Sequence, residues 1–162
     1  MRDLGSFSSG RYEFCSITLA GRLKIMNKEE IKQILPHREP MLLVDEVERV
    51  EENKAIGKYK VRGDEWFLQG HFPGNPVVPG VVLCEMMAQA CCVLLADRAE
   101  KATPYFTSLD KVKFKDKVLP GDELVTECEL IKARHPFYFA AAKGKVNGKV
   151  HVTAEFSFAL IS

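Results

Sequence analysis

Two residues of this chain have the chemistry of a proton-transfer pair. His71 and Glu85 lie fourteen positions apart in the stretch GHFPGNPVVPGVVLCEMMAQA, residues 70–90. Histidine titrates close to neutral pH and serves as a general base. A carboxyl group in apolar surroundings is pushed toward its neutral form and can serve as a proton donor. Gln89 follows Glu85 by four residues, one turn along the same helix face. The residues alone leave two readings open. In one, His71 is a structural turn residue, while Glu85 and Gln89 face solvent or satisfy a local network. In the other, the three line a narrow apolar cleft, with His71 facing Glu85. The second has a physical cost, because a buried carboxylate must be paired or hydrogen-bonded.

The segment between the two is built for rigidity. Pro73, Pro76 and Pro79 recur at every third position. Each fixes φ, and each pushes the residue before it into extended geometry, so a stiff, extended loop is expected. Pro79-Gly80 then opens a helix. Gly80 permits close approach to the backbone, and the first helical turn offers free N–H groups at a positive dipole end. Such amides suit a carbonyl oxygen that gains negative charge during reaction. The remaining histidines carry less: His37 and His135 adjoin prolines in turns, and His151 is expected on the outer face of a strand. No histidine pair has metal-ligand spacing, so no metal site is expected.

The elements that must hold these groups can be read from periodicity. Asn27 and Glu30 form a capping-box pattern ahead of Ile31, Ile34 and Leu35, with Pro36 as a stop. Strands are expected at 41–50 and 54–61, then the Pro/Gly loop, then a helix over roughly 81–98. Four more strands are expected at 105–114, 123–133, 137–146 and 149–161, the last two joined by Asn147-Gly148, a strong hairpin signal. On the final strand Val152, Ala154, Phe156 and Phe158 share one face, and His151, Thr153, Glu155 and Ser157 the other. A helix apolar nearly all round must be buried on most sides. The fold class this implies is α+β, an antiparallel sheet curled around one long central helix. The open sheet edges favour dimerisation edge to edge.

The chain has 162 residues, 46% hydrophobic and 28% charged, with formal net charge +1. That is the profile of one globular domain, without the basic excess expected for nucleic acid. The longest apolar run, Val81 to Ala96, is too short to span a bilayer and carries Glu85 and Gln89. The five cysteines (Cys15, Cys84, Cys91, Cys92 and Cys128) include no CxxC pair, which fits free thiols in a cytoplasmic, reducing setting. Residues 1–25 lack any period and are expected to be an irregular extension ahead of a single domain, 26–162. Gly21–Arg22 could be encoded by a purine-rich, ribosome-binding-like stretch, which would make Met26 the native start. Peptides N-terminal to Met26 in the native protein's mass spectrum would refute that expectation.

Three stretches, LPHREPMLLVDEV (35–47), residues 70–90 and LDKVKFKDKVLPGDEL (109–124), resemble the FabZ-type (3R)-hydroxyacyl-[acyl-carrier-protein] dehydratases of bacterial type II fatty-acid synthesis. The resemblance runs in order from Met26 to the C-terminus. It implies the hot-dog fold and dehydration of a (3R)-hydroxyacyl thioester to the trans-2-enoyl thioester, without a cofactor. It implies His71 and Glu85 as the catalytic pair, contributed by different subunits of a homodimer, with dimers assembled as a hexamer. Gly80 matches a glycine whose N–H binds the thioester carbonyl. Gln89 matches a glutamine of the substrate site, and Tyr105 a gating tyrosine over the acyl tunnel. Glu39 departs from the family, standing where an aromatic is frequent at the tunnel mouth, and Asn75 is a variable loop position. The acyl carrier protein is acidic and needs a basic dock. Lys111, Lys113, Lys115 and Lys117 fall at alternate positions, so a strand would put all four on one face, with Arg38 as a further candidate. The bland alternative is a solvated face with edge-protecting lysines.

Three other readings share parts of this pattern. A FabA-type dehydratase/isomerase carries Asp where Glu85 stands. A hot-dog thioesterase usually lacks the loop-helix pattern of residues 70–90. A non-catalytic acyl-thioester-binding module has no need for both His71 and Glu85.

Overall fold

A computed structural model describes residues 25–96 and 102–161. The capping box at Asn27 forms as expected. Asn27 Oδ1 accepts from Glu30 N–H, and the Glu30 carboxylate accepts from Asn27 N–H. It joins a short first strand, β1 (Ile25–Asn27), to a one-turn helix, α1 (Lys28–Ile31). There follow β2 (Glu46–Glu51), β3 (Lys54–Lys60), α2 (Gly80–Cys92), β4 (Thr103–Phe114), β5 (Glu123–Arg134), β6 (Phe137–Val146) and β7 (Lys149–Ile161).

All seven strands form one antiparallel sheet in the order β1-β2-β3-β5-β6-β7-β4. The sheet wraps α2, which packs on β3, β5, β6 and β7. Leu83, Met86, Met87, Ala90 and Cys91 of the helix are buried against Val47, Tyr59, Leu124, Val152 and Phe156 of the strands. The hairpin at Asn147-Gly148 forms with φ of 49° and 78°, the pair of positive values a two-residue type I′ turn needs. The closest crossing is at Gly57 of β3, where an added Cβ would stand 2.5 Å from the Ala90 Cβ.

Several expectations shift. The central helix ends at Cys92 and tightens into a 3₁₀ turn, Val93–Leu95, a common helix terminus. The strand expected from residue 41 begins only at Glu46. Leu42 to Val44 leave the ladder because their backbone is used elsewhere: Leu43 N–H donates to the Gln89 side chain, and Leu42 N–H to Arg38 O. On β7, Val152, Ala154, Phe156 and Phe158 are buried as expected. His151 and Ser157 are buried as well. His151 is covered because Lys115 and Asp116 fold back to donate to its carbonyl. Cys15 and the extension through residue 24 lie outside the described residues.

Candidate active site

His71 is held by its own loop. The loop is stiff, but it reverses on itself rather than running extended. Phe72 and Asn75 exchange backbone hydrogen bonds of 3.1 and 2.9 Å around Gly74, whose φ is +72°. Val77 N–H donates to His71 O, and Val78 N–H ties the loop to Val118 O. His71 Nδ1 lies 2.8 Å from Val77 O. A carbonyl can only accept, so Nδ1 carries the proton and Nε2 keeps a free lone pair in the neutral ring. That is the state of a general base.

Glu85 does not meet His71: among the described residues no contact joins them. Its Oε1 accepts from Gln89 Nε2 at 2.7 Å and lies 3.4 Å from His37 Nε2. Burial alone would favour the neutral acid. The His37 and Gln89 contacts outweigh it and hold the carboxyl below the usual glutamate range. This direction is opposite to the one burial alone would give. Glu85 also helps burial push the Cys92 thiol well up.

Gln89 is 1% exposed and its amide is fully engaged. One N–H goes to Glu85 and the other to Met41 O at 2.8 Å, while Oε1 accepts from Leu43 N–H at 2.7 Å. With both donors used it has none left for a substrate. Within the chain it is a strut that fixes Glu85 and the 41–43 segment.

Gly80 opens α2, and its N–H has no hydrogen-bond partner among the described residues. The Phe114 ring lies over it, 2.7 Å from where a Cβ would be. The site is rimmed by exposed apolar groups: Phe72 beside His71, Val81 (72% exposed) beside Gly80, and Phe114.

Tyr105 is exposed on β4 opposite Ala159 of β7, and it makes no contact with Glu85 or His71 among the described residues. The four lysines do not share one strand face. Lys111 takes φ of 50° at an irregularity between Asp110 and Lys113, and β4 stops at Phe114. Lys111, Lys113 and Lys115 still converge with Lys54 and Lys143 around a groove of about 610 Å³, while Lys117 is not part of its lining. The groove crosses the sheet along the row Ile56, Glu127, Lys143, Thr153 and Lys113, on the face away from α2. Lys111 pairs with Glu155, but Lys113, Lys115 and Lys143 carry no ion pair among the described residues. Arg38 lies elsewhere, binding the carbonyls of Lys32, Leu35 and His37. Glu39 pairs with Lys32 at 3.0 Å.

His37 is the site residue the sequence did not single out. Its partner is 48 positions away, and an HR dipeptide in a proline-bounded turn carries no periodic signal.

A sheet wrapped around a helix that follows a histidine loop and carries a carboxylate, Glu85, on its second turn is a hot-dog-fold domain. The model of the FabA-like domain family matches residues 35–155. The 3-hydroxyacyl-[acyl-carrier-protein] dehydratase FabZ of Clostridium perfringens is 47% identical over 138 residues, 84% of this chain and 99% of that protein. The enzyme of the same name from Enterococcus faecalis is 48% identical over 132 residues, 80% of this chain and 94% of that one. The chain belongs to the FabZ 3-hydroxyacyl-[acyl-carrier-protein] dehydratase family, whose members are hydro-lyases. Among solved structures, the dehydratase heterocomplex ApeI:P from Xenorhabdus doucetiae superimposes with a TM-score of 0.71 at 23% identity, covering 82% of this chain and 91% of that one. A hypothetical thioesterase with coenzyme A from Streptococcus pneumoniae matches at 0.56 and 11% identity, covering 72% and 84%. Both show the hot-dog fold alone. No helix among the described residues is long and apolar enough to cross a membrane.

Proposed function

We propose that the chain dehydrates (3R)-hydroxyacyl-acyl carrier protein to the trans-2-enoyl thioester in type II fatty-acid elongation. The observation that carries this is the His71 ring, tied by Nδ1–H to Val77 O so that Nε2 is free to act as base. Nε2 takes the proton from C2, and the electron pair moves toward the thioester carbonyl. The Gly80 N–H stabilises the negative oxygen that forms there. The C3–O bond then breaks and hydroxide leaves. His37 and Gln89 shift Glu85 toward its ionised form against burial, and in this reading it acts through a water on Oε2 that gives a proton to the leaving hydroxide. Protonated His71 restores that proton. General acid and base contributions of this kind are each worth about 10²–10⁴-fold. These groups supply every step, so no metal or organic cofactor is invoked.

The site is completed by a second copy. His71 and Glu85 make no contact within one chain, while Phe72, Val81 and Phe114 leave apolar surface beside them. In the dimer, His71 of one copy faces Glu85 of the other, and Tyr105 gates the acyl tunnel between them. Three dimers form a hexamer. Lys111, Lys113 and Lys115, with Lys54 and Lys143, dock the acidic carrier protein, and Lys117 adds to the same field from outside the groove. Free buried thiols at Cys84, Cys91, Cys92 and Cys128 fit a cytoplasmic enzyme.

The test follows conjugated enoyl absorbance with a β-hydroxybutyryl carrier-protein substrate. Wild type should turn over, and His71→Ala and Glu85→Ala should each lose at least about 10²-fold while remaining folded. A folded wild type that releases free thiol instead would assign a thioesterase.

A further inference from the structure

The dehydratase reading uses Glu85 but does not explain what aims it. We infer that His37 is a positioning residue: its Nε2 and the Gln89 amide together hold Glu85 Oε1, so that Oε2 is the oxygen presented to the reacting groups. This rests on the proposed dehydration.

Three observations carry it. Oε1 takes Gln89 Nε2 at 2.7 Å and faces His37 Nε2 at 3.4 Å, while Oε2 has no partner among the described residues. Among the described residues the His37 ring makes no other polar contact. Its Nδ1 is shut off from solvent without a hydrogen bond, so the carboxylate is the one polar partner of the ring among the described residues. In the neutral ring this places the proton on Nε2, toward Glu85, and leaves Nδ1 a bare acceptor. An orphaned buried nitrogen is a cost, and such costs persist where function keeps them.

The turn is also held still. Arg38 Nη1 binds Leu35 O and His37 O at 2.9 and 2.6 Å, and Nη2 binds Lys32 O at 3.1 Å. Gln89 grips the same segment at Met41 O and Leu43 N. His37 is therefore carried on a frame pinned on both sides, and that frame includes the helix bearing Glu85. Among the described residues the titratable groups facing Glu85 are His37, from the turn after α1, and Cys92, from its own helix. The Cys92 thiol stays neutral, so among the described residues of one chain His37 is the titratable group from another element that favours the ionised carboxyl, and in the proposed dimer His71 of the other copy faces the same carboxyl.

The experiment compares wild type, His37→Ala and His37→Gln, all checked for folding by thermal melt. One readout is kcat and KM against pH with β-hydroxybutyryl carrier protein. The other is the carbon-13 titration of the Glu85 side-chain carboxyl in labelled protein, assigned with Glu85→Gln. His37→Ala should lower kcat by about 10- to 100-fold with little change in KM. Because a contact favouring ionised Glu85 is lost, the acid limb of the profile and the carbon-13 midpoint should both move to higher pH. His37→Gln, which restores an N–H donor, should recover most of both. An unmoved midpoint in His37→Ala, or a His37→Gln variant no better than His37→Ala, would overturn the positioning role. A wild type that forms no enoyl thioester would sink the dehydratase reading instead, and the midpoint shift would still decide the His37–Glu85 contact.

Discussion

Asp45 illustrates how much a single side chain can organise near this site. It ends the buried Leu42–Val44 segment, and its carboxylate collects Lys28, the Lys60 N–H and Arg62 at 2.8–2.9 Å. Burial raises its pKa, but these three donors outweigh burial and hold it below the usual aspartate range. A carboxyl depressed in the folded state adds stability that is present above its unfolded pKa and is lost as pH falls through the folded one. Asp45→Asn should therefore cost about 1–3 kcal/mol at pH 7, as expected for hydrogen bonds to a charged group. The gap to wild type should hold above about pH 5 and shrink as pH drops below the unfolded value near 3.9. Urea melts across pH 2–7 would check this, and a gap that grew in acid would refute it.

The elements succeed or fail by how closely α2 seats on β3. Gly57 lets Ala90 come within 2.5 Å of where a Cβ would stand, and Ala90 is buried with no room to retreat. The same helix carries Gly80, Glu85 and Gln89, so its seating sets where the Gly80 amide and the carboxylate sit. Gly57→Ala should cost about 1–3 kcal/mol by overpacking. Adding Ala90→Gly should recover part of it, despite the helix cost of glycine. The check is a denaturant midpoint that falls in the single variant at unchanged slope and rises again in the double. Equal midpoints for Gly57→Ala and wild type would mean that helix and strand can slide apart.

Assembly turns on the two sheet edges, which are unequal. Among the described residues β1 offers three, whereas β4 offers twelve and exposes Tyr105, Phe106, Leu109 and Phe114. A long apolar edge is the one to be paired. If β4 joins two copies and each site takes His71 from one and Glu85 from the other, inactive variants should complement. His71→Ala and Glu85→Ala, unfolded together and refolded at equal amounts, should regain about a quarter of wild-type activity by random pairing in a two-fold dimer. No regain from a mixture that sedimentation shows to be mixed dimers would place the pair within one chain.

Much of this was legible in the chain because it depends on local chemistry. The capping box at Asn27, the Asn147-Gly148 turn, the alternation of β7 and the loop-helix grammar of residues 70–90 each encode their geometry within a few residues. His71 and Glu85 stand out for the same reason: a base in a stiff loop and a lone acid on an apolar helix are visible from their neighbours. What the three-dimensional packing decided was partnership. Gln89 became a strut because Met41 and Leu43 arrive beside it from 46–48 positions away. Burial pushes Glu85 toward the neutral acid, but His37, arriving from a distant turn, and Gln89 shift it the other way. The lysines gather across the sheet, not along one strand, because β4 bends at Lys111 and ends at Phe114. Periodicity reports which way a side chain points, whereas the charge and hydrogen-bond state of a buried group depend on whatever the fold places against it.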